Sequence, residues 1–347
     1  MPSTKLTRRA FAAGIGAPLI LGAQNKSGSG RPVTGSGDHT YEMIHDWGEL
    51  PATIRYGNTH GVCEDSQGRI YVHHTVNASS ESADSMVVFD EQGKFVKSWG
   101  KEFKGGAHGL HINKEDGQEF LYLCDTQRAV VVKSDLDGRV VWTLGYPKES
   151  EPYAKGDGSG KPIKYSPTNV AIARNGDVYV GDGYGSSYIN QYNSKGEYVR
   201  TFGGGGGAEA GQLSCPHGLI IDQRTSEEVL IVADRGNKRL QRFTLDGKHI
   251  DFVNGVKLPC HFNTFRNGDM VIPDLDARVT LVGRVNEVIT HLGEDDSNTW
   301  GELRKQPRQD FKPGKFICPH SACFDHSGNI FVVEWVEVGR VTKLRKV

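Results

Sequence analysis

The stretch LSCPHGLIID, residues 213–222, sets a proline and a histidine directly before a glycine and an apolar run, and nearly the same phrase returns as ICPHSACFD at 317–325. A phrase that recurs at a distance marks an internal repeat, and the period of that repeat decides the fold. Working outward, a short apolar strand, a Gly turn and a second apolar strand recur six times. The copies are HGVCEDSQGRIYVHH from His60, HGLHINKEDGQEFLYLCD from His108, TNVAIARNGDVYVGD from Thr168, HGLIIDQRTSEEVLIVAD from His217, CHFNTFRNGDMVIPD from Cys260 and HSACFDHSGNIFVVEW from His320. Successive first residues stand 43 to 60 positions apart, the length of a four-stranded propeller blade with variable loops.

The second half of each unit agrees. FDEQGKFVKSWG, SDLDGRVVWTLG, YNSKGEYVRTFG, FTLDGKHIDFV and VNEVITHLG read as hairpins joining a third strand to a fourth. The sixth unit stops at TKLRKV without that fourth strand, and YEMIHDWG at 41–48 matches what is missing. The reading is an all-β, six-bladed propeller over 41–347, its last blade closed by the N-terminal strand so that no sheet edge stays open. Glycine, 44 residues in 347, supplies the turns.

Charge narrows the function classes. With 41 basic and 42 acidic residues the chain has no overall field for nucleic acid or an anionic membrane. A small-molecule or peptide substrate fits better, and a monomer is expected. The N-terminus reads separately: LTRRAF at 6–11 precedes the uncharged AAGIGAPLILGA, which predicts a twin-arginine-type signal over 1–23 with cleavage at Ala23. The protein is then exported, periplasmic or extracellular, with no stable membrane insertion after removal of the signal. QNKSGSGRPVTGSGDHT, residues 24–40, reads as a flexible linker. The six cysteines are too sparse for a disulfide scaffold and are expected as small buried residues. Cys63 and Cys323 hold the same repeat position in neighbouring units, which leaves a bridge between them open.

In a propeller the first strand of each blade lines the central channel, so the six unit starts form a ring. Four of the six are histidines. One such imidazole would be structural, bonded to its own loop. Several aimed at one axis repel when protonated and leave nitrogens unpaired when neutral, unless a cation accepts their lone pairs. Zinc is the expected ion, and a water-filled polar channel is the competing explanation.

The repeats resemble NHL propellers, best in VADRGNKRLQRF at 232–243. More narrowly, HGL at 108–110, VGDGYGSSYINQY at 180–192, CPHGL at 215–219 and CPHSA at 318–322 resemble peptidyl-α-hydroxyglycine α-amidating lyase, in the same order. The resemblance implies a zinc-dependent carbon–nitrogen lyase that cleaves an α-hydroxyglycine-like carbinolamide to an amide and glyoxylate. Carried over residue by residue, the zinc ligands are His108, His217 and His320, the catalytic tyrosine is Tyr184 and a substrate-clamping arginine is Arg235. His60 stands as an extra ligand, and a calcium site would draw on backbone carbonyls near Val62 and Leu110.

This chain departs from the family pattern at three places. The loop YVHHTVNASSES at 71–82 lacks the family's further arginine, Ser321 replaces the aspartate that helps hold calcium, and Gly185 replaces a disulfide cysteine. His73 and His74 read as loop histidines on the same side. The inserts at 146–165 and 294–316 both precede ring strands and are expected to narrow access to the site. The alternative function is a non-catalytic NHL propeller binding a protein or glycan. A lactonase propeller is a weaker third reading, because such sites use carboxylate and amide ligands to calcium.

Overall fold

The computed structural model describes residues 30–347. The signal expected over 1–23 lies outside the described residues, and so does the first part of the expected linker. The rest of that linker is partly a strand. Val33–Ser36 pairs antiparallel with His39–His45, Val33 opposite Glu42 and Ser36 opposite His39. Its Gly and Ser residues serve a hairpin rather than a free tether, so the propeller begins before residue 41.

Six antiparallel sheets follow one another around an axis, the first five running from inner to outer strand in chain order. The inner strands are Thr59–Glu64, Ala107–Glu115, Asn169–Ile172, Pro216–Asp222, Asn263–Thr264 and Pro319–Phe324. In the sixth blade Arg340–Lys346 is the third strand and His39–His45 supplies the fourth, with Tyr41 opposite Lys346 and His45 opposite Thr342. The N-terminal closure read from the sequence is what the chain builds.

Alternation along the strands sends apolar side chains to both faces of each sheet, so every pair of neighbouring blades shares its own core. Val62, Val72, Phe89, Phe331, Val333 and Trp47 pack between the first and sixth blades. Tyr71, Val88, Leu110, Leu121 and Leu123 pack between the first and second. Toward the axis the inner strands approach closely. A Cβ on Gly109 would sit 2.4 Å from the Thr168 carbonyl oxygen, and one on Gly218 2.1 Å from that of Cys260. The glycine after the ring histidine is therefore dictated by contact with the next blade. At the sixth blade that residue is Ser321, whose hydroxyl meets Nδ1 of His261 at 3.2 Å.

All six cysteines are free thiols, so the bridge left open between Cys63 and Cys323 is not formed. Among the described residues, no helix is long and apolar enough to cross a membrane.

Candidate functional site

Each ring histidine sits in a local break of its strand. The inner-strand register shifts between Thr59 and Gly61, Ala107 and Leu110, Pro216 and Leu219, and Pro319 and Ser321. His60, His108, His217 and His320 all fall inside these irregularities. An extra residue on one strand of a ladder bends it and re-aims the side chain, here toward the axis. Proline before His217 and His320 has no N–H to contribute to the ladder and suits the break.

Carboxylates at the ends of the second strands hold the incoming segments. Asp182 accepts from the Ser166 amide at 2.7 Å, Asp234 from Ser214 at 2.8 Å, Asp274 from Leu258 at 3.0 Å and Glu334 from Ile317 at 2.7 Å. Each of these amides lies two or three residues before its ring position. In the first blade the same place is His74, whose Nδ1 accepts from the Val76 amide at 3.1 Å. His74 is a brace at the end of the buried strand Ile70–His74, which also holds His73, so neither is the loop histidine expected. His73 is equally buried, between the Phe103 ring and the backbone of His108 and Gly109.

The ring converges. Centroids of His108, His217 and His320 lie 4.6 to 4.9 Å apart, and His60 is 4.7 Å from His108 and 4.4 Å from His320. None of the four is more than 7% exposed. Two tautomers follow from the hydrogen bonds. His108 donates from Nδ1 to the Thr168 carbonyl at 2.7 Å, and His320 from Nδ1 to the His60 carbonyl at 2.9 Å. In the neutral form both therefore present the Nε2 lone pair to the centre. Burial, the largest cause, holds the imidazoles of His60, His217 and His320 well below the usual range, and neighbouring imidazoles or Arg235 push the same way. Burial likewise takes His108 to about 3. Neutral imidazoles with inward lone pairs suit a divalent cation and repel a proton.

Among the described residues, two three-donor clusters have ligand atoms all within 4.8 Å of one another: His60, His108 and His320, and His217, Cys260 and His320. The expected trio is thus contiguous, but its tightest groupings recruit His60 and Cys260. Neither cluster contains a carboxylate. Val62 and Leu110 lie within inner-strand ladders opposite Val72 and Leu123, and Ser321 is engaged with His261. Calcium takes six to eight oxygen ligands, so this nitrogen and sulfur set does not fit it. It does fit zinc, which takes imidazole and thiolate.

Tyr184 bridges the ring. Its hydroxyl lies 3.0 Å from Nε2 of His217 and 3.2 Å from Nε2 of His108. Burial pushes its phenol up to about 12, with Arg235 opposing. The loop carrying it is tied by Asp182, which also accepts from the Ser186 amide at 2.6 Å and the Tyr153 hydroxyl at 2.7 Å. Tyr153 belongs to the insert at 146–165, so that insert supports the loop that carries Tyr184. Arg235 lies over the Tyr184 ring, 5.3 Å from the centroid, and donates to Cys215 Sγ at 3.2 Å and Cys260 Sγ at 3.8 Å. Among the described residues no carboxylate pairs with it, which leaves its charge available to an anionic ligand.

The second insert places a residue that sequence reasoning missed. Arg304 follows the short helix Trp300–Leu303, stacks on Trp335 and donates to Asn58 Oδ1 at 3.2 Å. It is close enough to His60 to help depress that imidazole. No motif marked it, because the insert follows no repeat.

No protein-family model matches the chain. Peptidyl-alpha-hydroxyglycine alpha-amidating lyase 1 of Drosophila melanogaster is 30% identical over 236 residues, covering 59% of this chain and 41% of that protein. NHL repeat-containing protein 3 of Homo sapiens is 25% identical over 213 residues, covering 59% of this chain and 57% of that protein. The chain thus spans less than two thirds of the length of each. A solved streptogramin B lyase structure superposes with a TM-score of 0.57 at 12% identity, covering 88% of this chain and 97% of the other, a likeness of fold. The chain is a six-bladed β-propeller similar in sequence to peptidyl-alpha-hydroxyglycine alpha-amidating lyases and to NHL repeat-containing proteins.

Proposed function

We propose that this protein is a metal-dependent carbon–nitrogen lyase of the amidating-lyase type, acting on an α-hydroxyglycine-like carbinolamide after export by its N-terminal signal. The single observation that carries the reading is the Tyr184 hydroxyl set between Nε2 of His108 and Nε2 of His217 on a ring of buried, neutral imidazoles. The reaction removes the carbinol proton, breaks the C–N bond with its electron pair going to nitrogen, and returns a proton to that nitrogen. The products are an amide and glyoxylate.

His108, His217 and His320, with His60 adjoining, would hold a zinc ion whose Lewis acidity makes the carbinol hydroxyl easier to deprotonate. Tyr184 Oη takes or relays the proton, and the imidazoles on either side of it fix its position. Arg235, free of any carboxylate partner among the described residues, orients the substrate carboxylate through its planar fork. The two inserts exclude water above the ring. The propeller-only reading, a scaffold binding a protein or glycan, is the alternative that the NHL likeness leaves.

The test is metal content and glyoxylate release from α-hydroxyhippurate in the exported protein, compared with His108→Ala, His217→Ala and His320→Ala variants. Bound zinc and glyoxylate release, both lost together in the variants, support the lyase. Bound metal without release leaves the scaffold.

A further inference from the structure

The fifth blade departs from the other ring members. Its inner strand is short, Asn263–Thr264; just before it Pro259 stays bridged to Asp274 of its own blade, while His261 bridges to the sixth blade. The His261 amide donates to the His320 carbonyl at 3.1 Å, and the Ala322 amide donates to the His261 carbonyl at 3.3 Å, a parallel bridge between the two inner segments. The preceding Cys260 is held by its amide N–H, which donates to the Pro273 carbonyl of its own blade at 2.9 Å. It occupies the ring register where four other blades carry histidine.

We propose that Cys260 is a ligand of the axial cation, its thiolate joining His217 and His320 so that the centre is a mixed nitrogen and sulfur site. The proposal rests on the reading of the ring as a metal centre and goes beyond its three histidines. The three donor atoms lie within 4.8 Å of one another on three buried residues. A tetrahedral zinc site with N and S ligands holds its donors about 3.5 Å apart, so a modest contraction suffices. The sulfur is otherwise weakly engaged: it donates to the Leu258 carbonyl at 3.6 Å and accepts from Arg235 at 3.8 Å. His217, fully buried, leaves Nδ1 without a partner.

Burial pushes the Cys260 thiol up to about 12, with Arg235 opposing, so the thiolate forms only as an incoming cation displaces the proton. Among the described residues, Arg235 reaches this sulfur and no carboxylate joins the cluster. Ile317, Cys318, Leu275, Phe311 and Val336 form an apolar cap over Cys260, closed from outside by Trp300 and Leu303 of the second insert. A sulfur ligand selects the kind of ion: imidazoles with thiolate favour zinc or cobalt over magnesium, manganese or calcium.

Cobalt(II) loaded into the metal-depleted full chain tests this through its spectrum. The expected result is a near-ultraviolet sulfur-to-cobalt charge-transfer band beside the visible ligand-field bands. Cys260→Ser should remove the first and keep the second, whereas Cys215→Ser, altering the neighbouring sulfur, should keep both. Cobalt binding without the charge-transfer band, or a band that survives Cys260→Ser, overturns the cysteine and leaves the histidine ring standing. Failure to bind cobalt or zinc at all overturns the ring as well. Should Cys260→Ser not fold, X-ray absorption on the zinc-loaded parent decides: a sulfur neighbour at about 2.3 Å supports the assignment, and a shell of nitrogen and oxygen alone rejects it.

Discussion

The Tyr184 hydroxyl lies 3.0 Å from Nε2 of His217 on the fourth blade, and the same oxygen reaches Nε2 of His108 on the second. A phenol can donate only one proton, so one of these contacts is accepted and the other donated, or a cation separates them. Replacement by Tyr184→Phe keeps the ring and its packing while removing the proton carrier. Glyoxylate release should fall by about 10²- to 10⁴-fold, the usual contribution of a positioned acid or base. Metal content should stay unchanged. Loss of metal together with activity would make Tyr184 a structural member of the ring instead.

Arg235 stacks on the Tyr184 ring and, among the described residues, has no carboxylate partner. Arg235→Lys retains the charge and loses the planar fork, so KM should rise for substrates bearing a carboxylate while kcat changes less. An amide analogue of the substrate, lacking that carboxylate, should be turned over equally by both forms. If the analogue suffers the same loss, Arg235 acts by shaping the tyrosine loop rather than by binding substrate.

Asp182 gathers the Ser166 and Ser186 amides and the Tyr153 hydroxyl on one buried carboxylate. Burial raises it to about 6, with those hydrogen bonds opposing. In Asp182→Asn one acceptor oxygen becomes a donor facing donors. A cost of about 1–3 kcal/mol is expected, read as a lower denaturation midpoint. Catalysis should fall with metal retained, since the loop carrying Tyr184 loses its anchor. An unchanged turnover rate in the variant would show that the loop is held elsewhere.

The architecture was legible because each blade repeats one set of local rules. The Gly turns, the alternation and even the missing fourth strand of the last blade can be read from residue types alone. The histidine ring was legible for the same reason, since equivalent register implies a common axis. The linker reading failed at Val33–Ser36 because Gly and Ser serve a tight hairpin as well as a tether. Cys260 stands in the ring register, yet nothing in the sequence said that the next residue, His261, would bridge to the sixth blade at His320 and Ser321. Arg304 was invisible because it comes from an insert whose path depends on packing against Cys318 and Val336.

Burial of so many neutral imidazoles fixes how stability depends on pH. Burial takes His73, His74, His108 and His261 to about 3, and His60, His217 and His320 well below the ordinary value near 6.5. Because the unfolded chain takes up protons first, the associated stability is fully present above about pH 6.5 and is lost as the pH falls toward about 3. Each histidine contributes a slope of at most about 1.4 kcal/mol per pH unit. Glu64, Asp125, Asp182 and Asp274, raised by burial, act in the opposite sense, but with His45, His111 and His291 also lowered they are four groups against ten. Metal-depleted protein should therefore lose its denaturation midpoint steeply below about pH 6.5, and saturating zinc should hold it to lower pH because protons must displace the ion. Urea titrations across that range, with and without zinc, check both halves. A profile that stays flat from neutrality to about pH 4 would mean that the imidazoles are already hydrated or protonated in the folded protein, and the neutral ring on which the catalytic reading depends would not exist.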